Sequence, residues 1–401
     1  MNNNLKDIIN KYILLVESND NRLRCDYWKA DTVCSRDKFR RTPQKKLKRG
    51  IPVIADISPT IWADFFNFNM REFYTDPQIF LLNYLKLMIK HFELYDYLTL
   101  DKEIPCLFFP GIAFEASLFG KEPVYDDIAE PWVGRDIVLK EKKNLNKLHY
   151  PDFFKSGLMP LVHRFYQEIN ETLTGTGLNI DFPNMIRSPF GIAFQLRGFE
   201  NLGIDLLDDP KWVHKLMLFL TESHKKWYED KSKFLNEPIP KGLLYNDEVD
   251  CNLISPNIYE EIIFPYEIEL AKFHNGIAYW HSCGNITPIL NLIRQIPNME
   301  MIKISAWTDY NKAAQICKDI PLEICISATD YVYLANKEKM ASKINDIINI
   351  CLKEGVEAFY IRTEPLHKFS SNVNQDLDKA QLWIEVAKNS IKKIRYDYMI
   401  Y

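Results

Sequence analysis

Glycine is scarce in this chain, 14 of 401 residues. An open dinucleotide-binding sheet needs three glycines at fixed spacing in its first turn. The one candidate, Gly175-Thr176-Gly177, lacks the third glycine, so that architecture is not expected. No two of the eight cysteines form a CxxC pair; they stand singly at 25, 34, 106, 251, 283, 317, 325 and 351. Neither a disulfide framework nor a four-cysteine zinc site follows from such spacing, and the thiols are read as reduced. Long apolar runs are also missing, none reaching the ~18 residues of a membrane span. The opening MNNNLKDIINKY lacks the basic-then-apolar order of a secretion signal, so no membrane association and a cytoplasmic location are expected. Charge of one sign is not in excess: 50 Lys+Arg stand against 54 Asp+Glu, a net charge of −4. Such a chain has no overall field to hold a polyphosphate, so no nucleic-acid partner is expected.

What is present is a globular composition, 47% hydrophobic and 26% charged, enough for a large core. Beyond residue 240 a unit repeats: a short apolar run, a polar turn, a capping residue, then apolar positions three and four apart. The runs at 242–246, 277–281, 301–304, 322–326 and 358–361 each lead into such a helix pattern, with Ser255-Pro256 and Thr287-Pro288 as start signals. Proline suits a first helical position because the N–H it lacks would have no partner there. Upstream, strands are expected at 51–57, 106–109 and near 184–187, and helices at 76–92, 154–170 and 209–234. Alternating strands and helices predict an α/β fold with a parallel sheet, and eight units close a (β/α)8 TIM barrel. The division expected is residues 1–49 as an N-terminal helical and basic extension, and 50–401 as one barrel. Within that extension, residues 36–49 carry eight Lys/Arg against one Asp. The run reads as a solvated arm, or as a dock for an acidic partner.

The sharpest local feature is AYWHSCGNITP at 278–288. Residues two apart in a strand face the same way, so His281 and Cys283 are expected to project together where the strand ends. In a barrel that end carries the active site. An imidazole and a thiolate make part of a zinc site, although a His and a Cys at a strand end also serve plain packing. A second cluster, Asn246-Asp247-Glu248-Val249-Asp250, ends the preceding strand. It can bring a carboxylate to the pair, or simply cap the next helix. On a period of two, Tyr360, Arg362 and Glu364 share a face. Glu364 then offers an oxygen ligand or a general acid/base, and Arg362 a contact to a substrate carboxylate. Trp307 is read as the pocket floor or as core. Arg187 and Arg197 flank SPFGIAFQL and suit an anionic substrate or a structural ion pair. Cys325 and Cys351 read as packing thiols, and the remaining histidines show no partner spacing.

The run HSCGNITPILNLI, followed by MIKISAWTD, EICIS and AFYIRTEPL, resembles the C-terminal half of the uroporphyrinogen decarboxylase superfamily. LRGFENLGIDLLDDPKWVHKLM and DEVDCNLISPNIYEEIIFPY are similar to that group's junctions upstream, so the likeness spans about residues 185–390. The resemblance implies a (β/α)8 barrel. It also points to the branch of zinc-dependent methyltransferases that move methyl groups between corrinoid proteins and thiols or other small acceptors. On that likeness His281 and Cys283 are zinc ligands, and Glu248, with Asp250 as fallback, is the carboxylate that trades places with the substrate thiol. By their own positions, apart from the likeness, Trp307 and Arg187 are the residues expected on the cofactor side, Arg187 toward an anionic substrate or a tetrapyrrole propionate.

Two departures qualify the likeness. That branch takes a further Cys ligand at the last barrel strand, where this chain reads YIRTEPLHK, and Glu364 is the residue offered in its place. The decarboxylase grips its substrate with arginines after its first strand, where this chain reads IADISPTIW. The expectation is therefore a metal-assisted methyltransferase acting on a small-molecule substrate, moving a methyl group between a corrinoid carried by a partner protein, or a methylated small molecule, and a thiol or similar acceptor. The alternatives are a metal-independent decarboxylase or lyase, and a non-catalytic corrinoid-binding barrel.

Overall fold

The computed structural model of the protein describes residues 3–28, 50–105 and 113–398. The basic run 36–49 and the strand expected at 106–109 lie outside the described residues. Among the described residues, eight short parallel strands build the centre: β1 Val53–Ile54, β2 Glu103–Pro105, β3 Asn179–Asp181, β4 Gly242–Tyr245, β5 Ile277–His281, β6 Ile302–Ile304, β7 Leu322–Ile326 and β8 Phe359–Thr363. Six form one sheet in the order β1-β8-β7-β6-β5-β4, every pair parallel. Arg187 continues this sheet through a parallel bridge to Tyr245, and β3, a few residues upstream, pairs in parallel with β2. The strands therefore follow one another around in the order of a (β/α)8 barrel. The strand expected near 184–187 contributes one bridge, its regular part lying earlier, at 179–181.

Burial explains why the last strands form where they do. Every residue of β5, β7 and β8 is buried, as for strands covered on both faces, whose sequences read as apolar runs rather than alternations. The helices between them start on side-chain caps. Ser58, Ser188, Asp209 and Ser255 each accept a backbone N–H of the first turn and are each followed by proline. The Thr287-Pro288 signal works differently. Asn285 Oδ1 takes the Thr287 N–H at 3.0 Å, the Thr287 hydroxyl accepts from the Asp309 N–H, and only a 3₁₀ turn and a short helix follow. The helix expected from 154 begins at Met159 instead, because Asp152 closes a turn by accepting the N–H groups of Phe154 and Lys155.

Helices Asn3–Val16 and Asn19–Trp28 precede the barrel and share its apolar core, in which Leu5, Ile9, Tyr12 and Trp28 are buried. Trp28 donates its indole N–H to the Tyr97 carbonyl at 2.8 Å and meets the ring of Tyr360 on β8 edge-on at 5.0 Å. Among the described residues no helix is long and apolar enough to cross a membrane.

Candidate metal centre

Charged residues sit inside these otherwise apolar strands. Lys303 on β6, Glu323 on β7 and Arg362 on β8 are all buried, which is costly unless each charge is paired. Each of them is. Arg362 Nε donates to Glu323 Oε1 at 2.5 Å and its Nη1 donates to Asp56 Oδ2 at 2.8 Å. Lys303 Nζ reaches Glu364 Oε2 at 3.1 Å and the Cys283 sulfur at 3.2 Å. Glu323 also accepts the hydroxyls of Tyr360 and, at 2.7 Å, Tyr279.

At the C-terminal ends of β4 and β5 this polar interior meets three possible ligands. His281 ends β5, Cys283 follows two residues later, and Asp247 lies two residues beyond β4. Their donor atoms all lie within 4.8 Å of one another. The Cys283 sulfur is 3.4 Å from His281 Nε2, and Asp247 Oδ1 is 3.0 Å from the same nitrogen. Tyr245 stacks on the imidazole with ring centroids 4.4 Å apart. Gly284, next after Cys283, lets the chain turn against Asp250, whose Cα would lie 2.7 Å from a Cβ there.

The surroundings set the charge states. Burial, with Lys303 nearby, pushes His281 down to about 4, so the ring is neutral at pH 7. Burial and the Asp247 charge push the Cys283 thiol up to about 12, against the pull of Lys303. Asp247 resists the effect of its own burial, because the Arg187 guanidinium beside it holds its carboxyl below the usual range. The residues fit a divalent ion. An imidazole nitrogen, a sulfur and a carboxylate oxygen are a zinc-type donor set, and their spacing suits metal–ligand distances of about 2.0–2.3 Å. Among the described residues the buried Asp247 Oδ1 has no hydrogen-bond partner, although it faces His281 Nε2. A cation would satisfy both atoms.

The structure thus brings His281 and Cys283 together as the sequence predicts, but with Asp247 rather than Glu248 as the carboxylate. Glu248 points to Arg187, which pairs with it closely and also lies 3.5 Å from Asp247 Oδ2. Burial, opposed by Arg187, pushes Glu248 up to about 7. Arg187 is accordingly an internal ion-pair residue beside the site. Asp250 caps the turn, accepting the N–H groups of Asn252 and Asn285. Glu364 lies near Cys283 as the partner of Lys303, and Arg362 already has two carboxylate partners.

Trp307 is not core: the residue is 68% exposed on the loop after β6. Arg197 is tied to Asp205 at 2.7 Å and to the carbonyls of Leu139 and Lys140, as a structural clamp. Asp247 stood in the sequence cluster 246–250 from which Glu248 was chosen, whereas Lys303 and Glu323 were passed over. The signal for the last two was a lone charge within the apolar strand runs MIKIS and LEICIS, which burial on both faces obliges to find a partner inside the barrel.

Comparison with known proteins bears on the same region. The sequence matches the family model described as Uroporphyrinogen decarboxylase (URO-D) over residues 69–361, a stretch that contains all three donors. Among solved structures, a methyltransferase from Methanosarcina mazei superposes with a TM-score of 0.60 at 15% identity, covering 85% of this chain and 94% of that one. At that identity the likeness is one of fold. No curated protein matches the sequence.

Proposed function

The chain belongs to the uroporphyrinogen decarboxylase family, and from that premise we propose that it is a methyltransferase with one metal ion, zinc by its donor set, held by Asp247, His281 and Cys283. The reaction proposed moves a methyl group between a corrinoid, carried by a partner protein, or a methylated small molecule, and a thiol or similar acceptor. The observation that carries the reading is the gathering of three unlike donor atoms within 4.8 Å at the barrel's active end.

Bound there, zinc supplies Lewis acidity and holds a thiolate at neutral pH, where a free thiol of pKa ~8.5 is only a few per cent ionised. The chain's own residues prepare that state. Lys303, itself buried and 3.2 Å from the Cys283 sulfur, is the cation that offsets a thiolate there. Glu364 balances Lys303 from the other side. Arg187 orients Asp247 from 3.5 Å while neutralising Glu248. The metal-free lyase reading asks Arg362 or another arginine at the barrel mouth to receive a substrate carboxylate; Glu323 and Asp56 already occupy the Arg362 guanidinium, and Glu248 already pairs with Arg187.

The test is metal content with methyl transfer. Purified protein is expected to carry about one zinc per chain, to lose it with Cys283→Ala, and to transfer methyl between methylcobalamin and a thiol only when the metal is present. Purified protein without stoichiometric metal, or a Cys283→Ala variant that keeps it, would overturn the proposal.

A further inference from the structure

His281 does not stand alone on its strand. Tyr279, two residues earlier, points the same way, and its hydroxyl oxygen lies 3.1 Å from His281 Nδ1. The same hydroxyl lies 2.7 Å from Glu323 Oε1 on β7. A phenol has one proton, and a carboxylate that already receives the Arg362 Nε–H at 2.5 Å can only accept. The Tyr279 proton therefore goes to Glu323, and the phenol oxygen presents a lone pair to Nδ1. For that contact to be attractive in the ion-loaded site, where a cation and not a proton lies between Nε2 and Asp247, the imidazole must carry its proton on Nδ1. Nε2 is then a bare lone pair, and it is the nitrogen that faces Asp247 Oδ1 at 3.0 Å and the Cys283 sulfur at 3.4 Å.

From this geometry we infer that Tyr279 and Glu323 are positioning residues: they lock His281 in the Nδ1–H tautomer and aim Nε2 at the ion. The inference rests on the metal reading above and adds to it the device that orients one ligand. Metal-bound histidines commonly donate their other ring N–H to such a partner, and loss of that partner typically costs 10–100-fold in metal affinity. Here the partner is a tyrosine held by a buried carboxylate. The chain Arg362, Glu323, Tyr279, His281 thus runs from β8 through β7 to β5 by contacts of 2.5, 2.7 and 3.1 Å. Tyr360 supplies an internal comparison, because it donates to the other oxygen of Glu323.

The experiment is a zinc titration of the full chain against a chromophoric chelator, repeated with cobalt to follow the thiolate-to-metal absorption band. Tyr279→Phe is expected to weaken zinc binding about 10–100-fold while keeping the cobalt–thiolate band. Tyr360→Phe, which removes a hydroxyl from the same carboxylate, is expected to leave affinity within about threefold of wild type. Equal affinity of Tyr279→Phe and wild type overturns the inference, as does an equal loss in both variants, since that marks a general effect of Glu323 packing. A wild-type chain that binds neither metal sinks the functional reading, and the inference with it. The tautomer is read independently of folding variants by nitrogen NMR of the histidine-labelled, zinc-loaded wild type. A protonated Nδ1 and a metal-bound Nε2 at His281 support the assignment, and the opposite arrangement overturns it.

Discussion

Lys303 Nζ lies 3.2 Å from the sulfur of Cys283, reaching it from inside a neighbouring strand of the barrel. A buried ammonium at that distance favours the thiolate over the thiol, opposing burial and the Asp247 charge, which together push the thiol up to about 12. Replacing Lys303 with Met removes the opposing charge. In metal-free protein at pH 9, alkylation of Cys283 by iodoacetamide, followed by peptide mass spectrometry, is expected to slow by about threefold to tenfold. An unchanged or faster rate would show that the ammonium does not govern the sulfur.

The two adjacent carboxylates after β4 make opposite predictions. Asp247 Oδ1 faces His281 Nε2 at 3.0 Å, whereas Glu248 pairs with Arg187. Asp247→Asn is expected to weaken zinc binding by more than the about 10–100-fold that loss of a histidine's partner costs. Glu248→Gln is expected to leave the zinc affinity within about threefold. Chelator competition on the two variants decides, and the reverse ranking would return Glu248 to the site.

Gly284 is a point of close approach. A Cβ there would lie 2.7 Å from the Asp250 Cα, a backbone atom that cannot swing aside. Gly284→Ala must move the turn that carries Cys283, and overpacking of this kind costs ~1–3 kcal/mol. Urea unfolding should show that loss, accompanied by weaker zinc binding. A variant of wild-type stability would mean that the turn is slack.

Away from the site, His224 and His274 meet Nε2 to Nε2 at 2.9 Å in a buried place. Burial pushes His274 down to about 4 and His224 well below its usual value. In the unfolded chain both titrate near ~6.5. Between those values the unfolded chain binds more protons, so the stability contributed is complete above pH ~6.5 and is lost as pH falls toward 4. For His274 alone the loss at its end is roughly 3 kcal/mol, from about 1.4 kcal/mol per unit. Unfolding free energy from urea titrations should fall between pH 7 and pH 5, and His274→Gln should flatten that fall. An equally steep fall in the variant would place its origin elsewhere.

The sequence carried the barrel's second half well because β5, β7 and β8 are buried on both faces and read as apolar runs closed by polar turns. The first half was harder to read. There β1 and β3 have two and three residues and the helix boundaries depend on local caps such as Asp152, whose turn delays the helix to Met159. His281 and Cys283 were legible as a pair because strand periodicity alone puts residues two apart on one face. Which carboxylate joins them was not legible. In a loop, one residue's difference between Asp247 and Glu248 reverses direction, and only the position of Arg187, some sixty residues earlier in the chain, settles which one is drawn away. Glu323 and Lys303 were visible as misplaced charges, but their partners come from strands distant in sequence.

Zinc-edge X-ray absorption on the zinc-loaded chain tests the central proposition most directly. One sulfur and an imidazole are expected among the ligands, with the sulfur absent in Cys283→Ala and the imidazole signature lost in His281→Ala. Coordination without sulfur, or with sulfur that survives removal of Cys283, would contradict it.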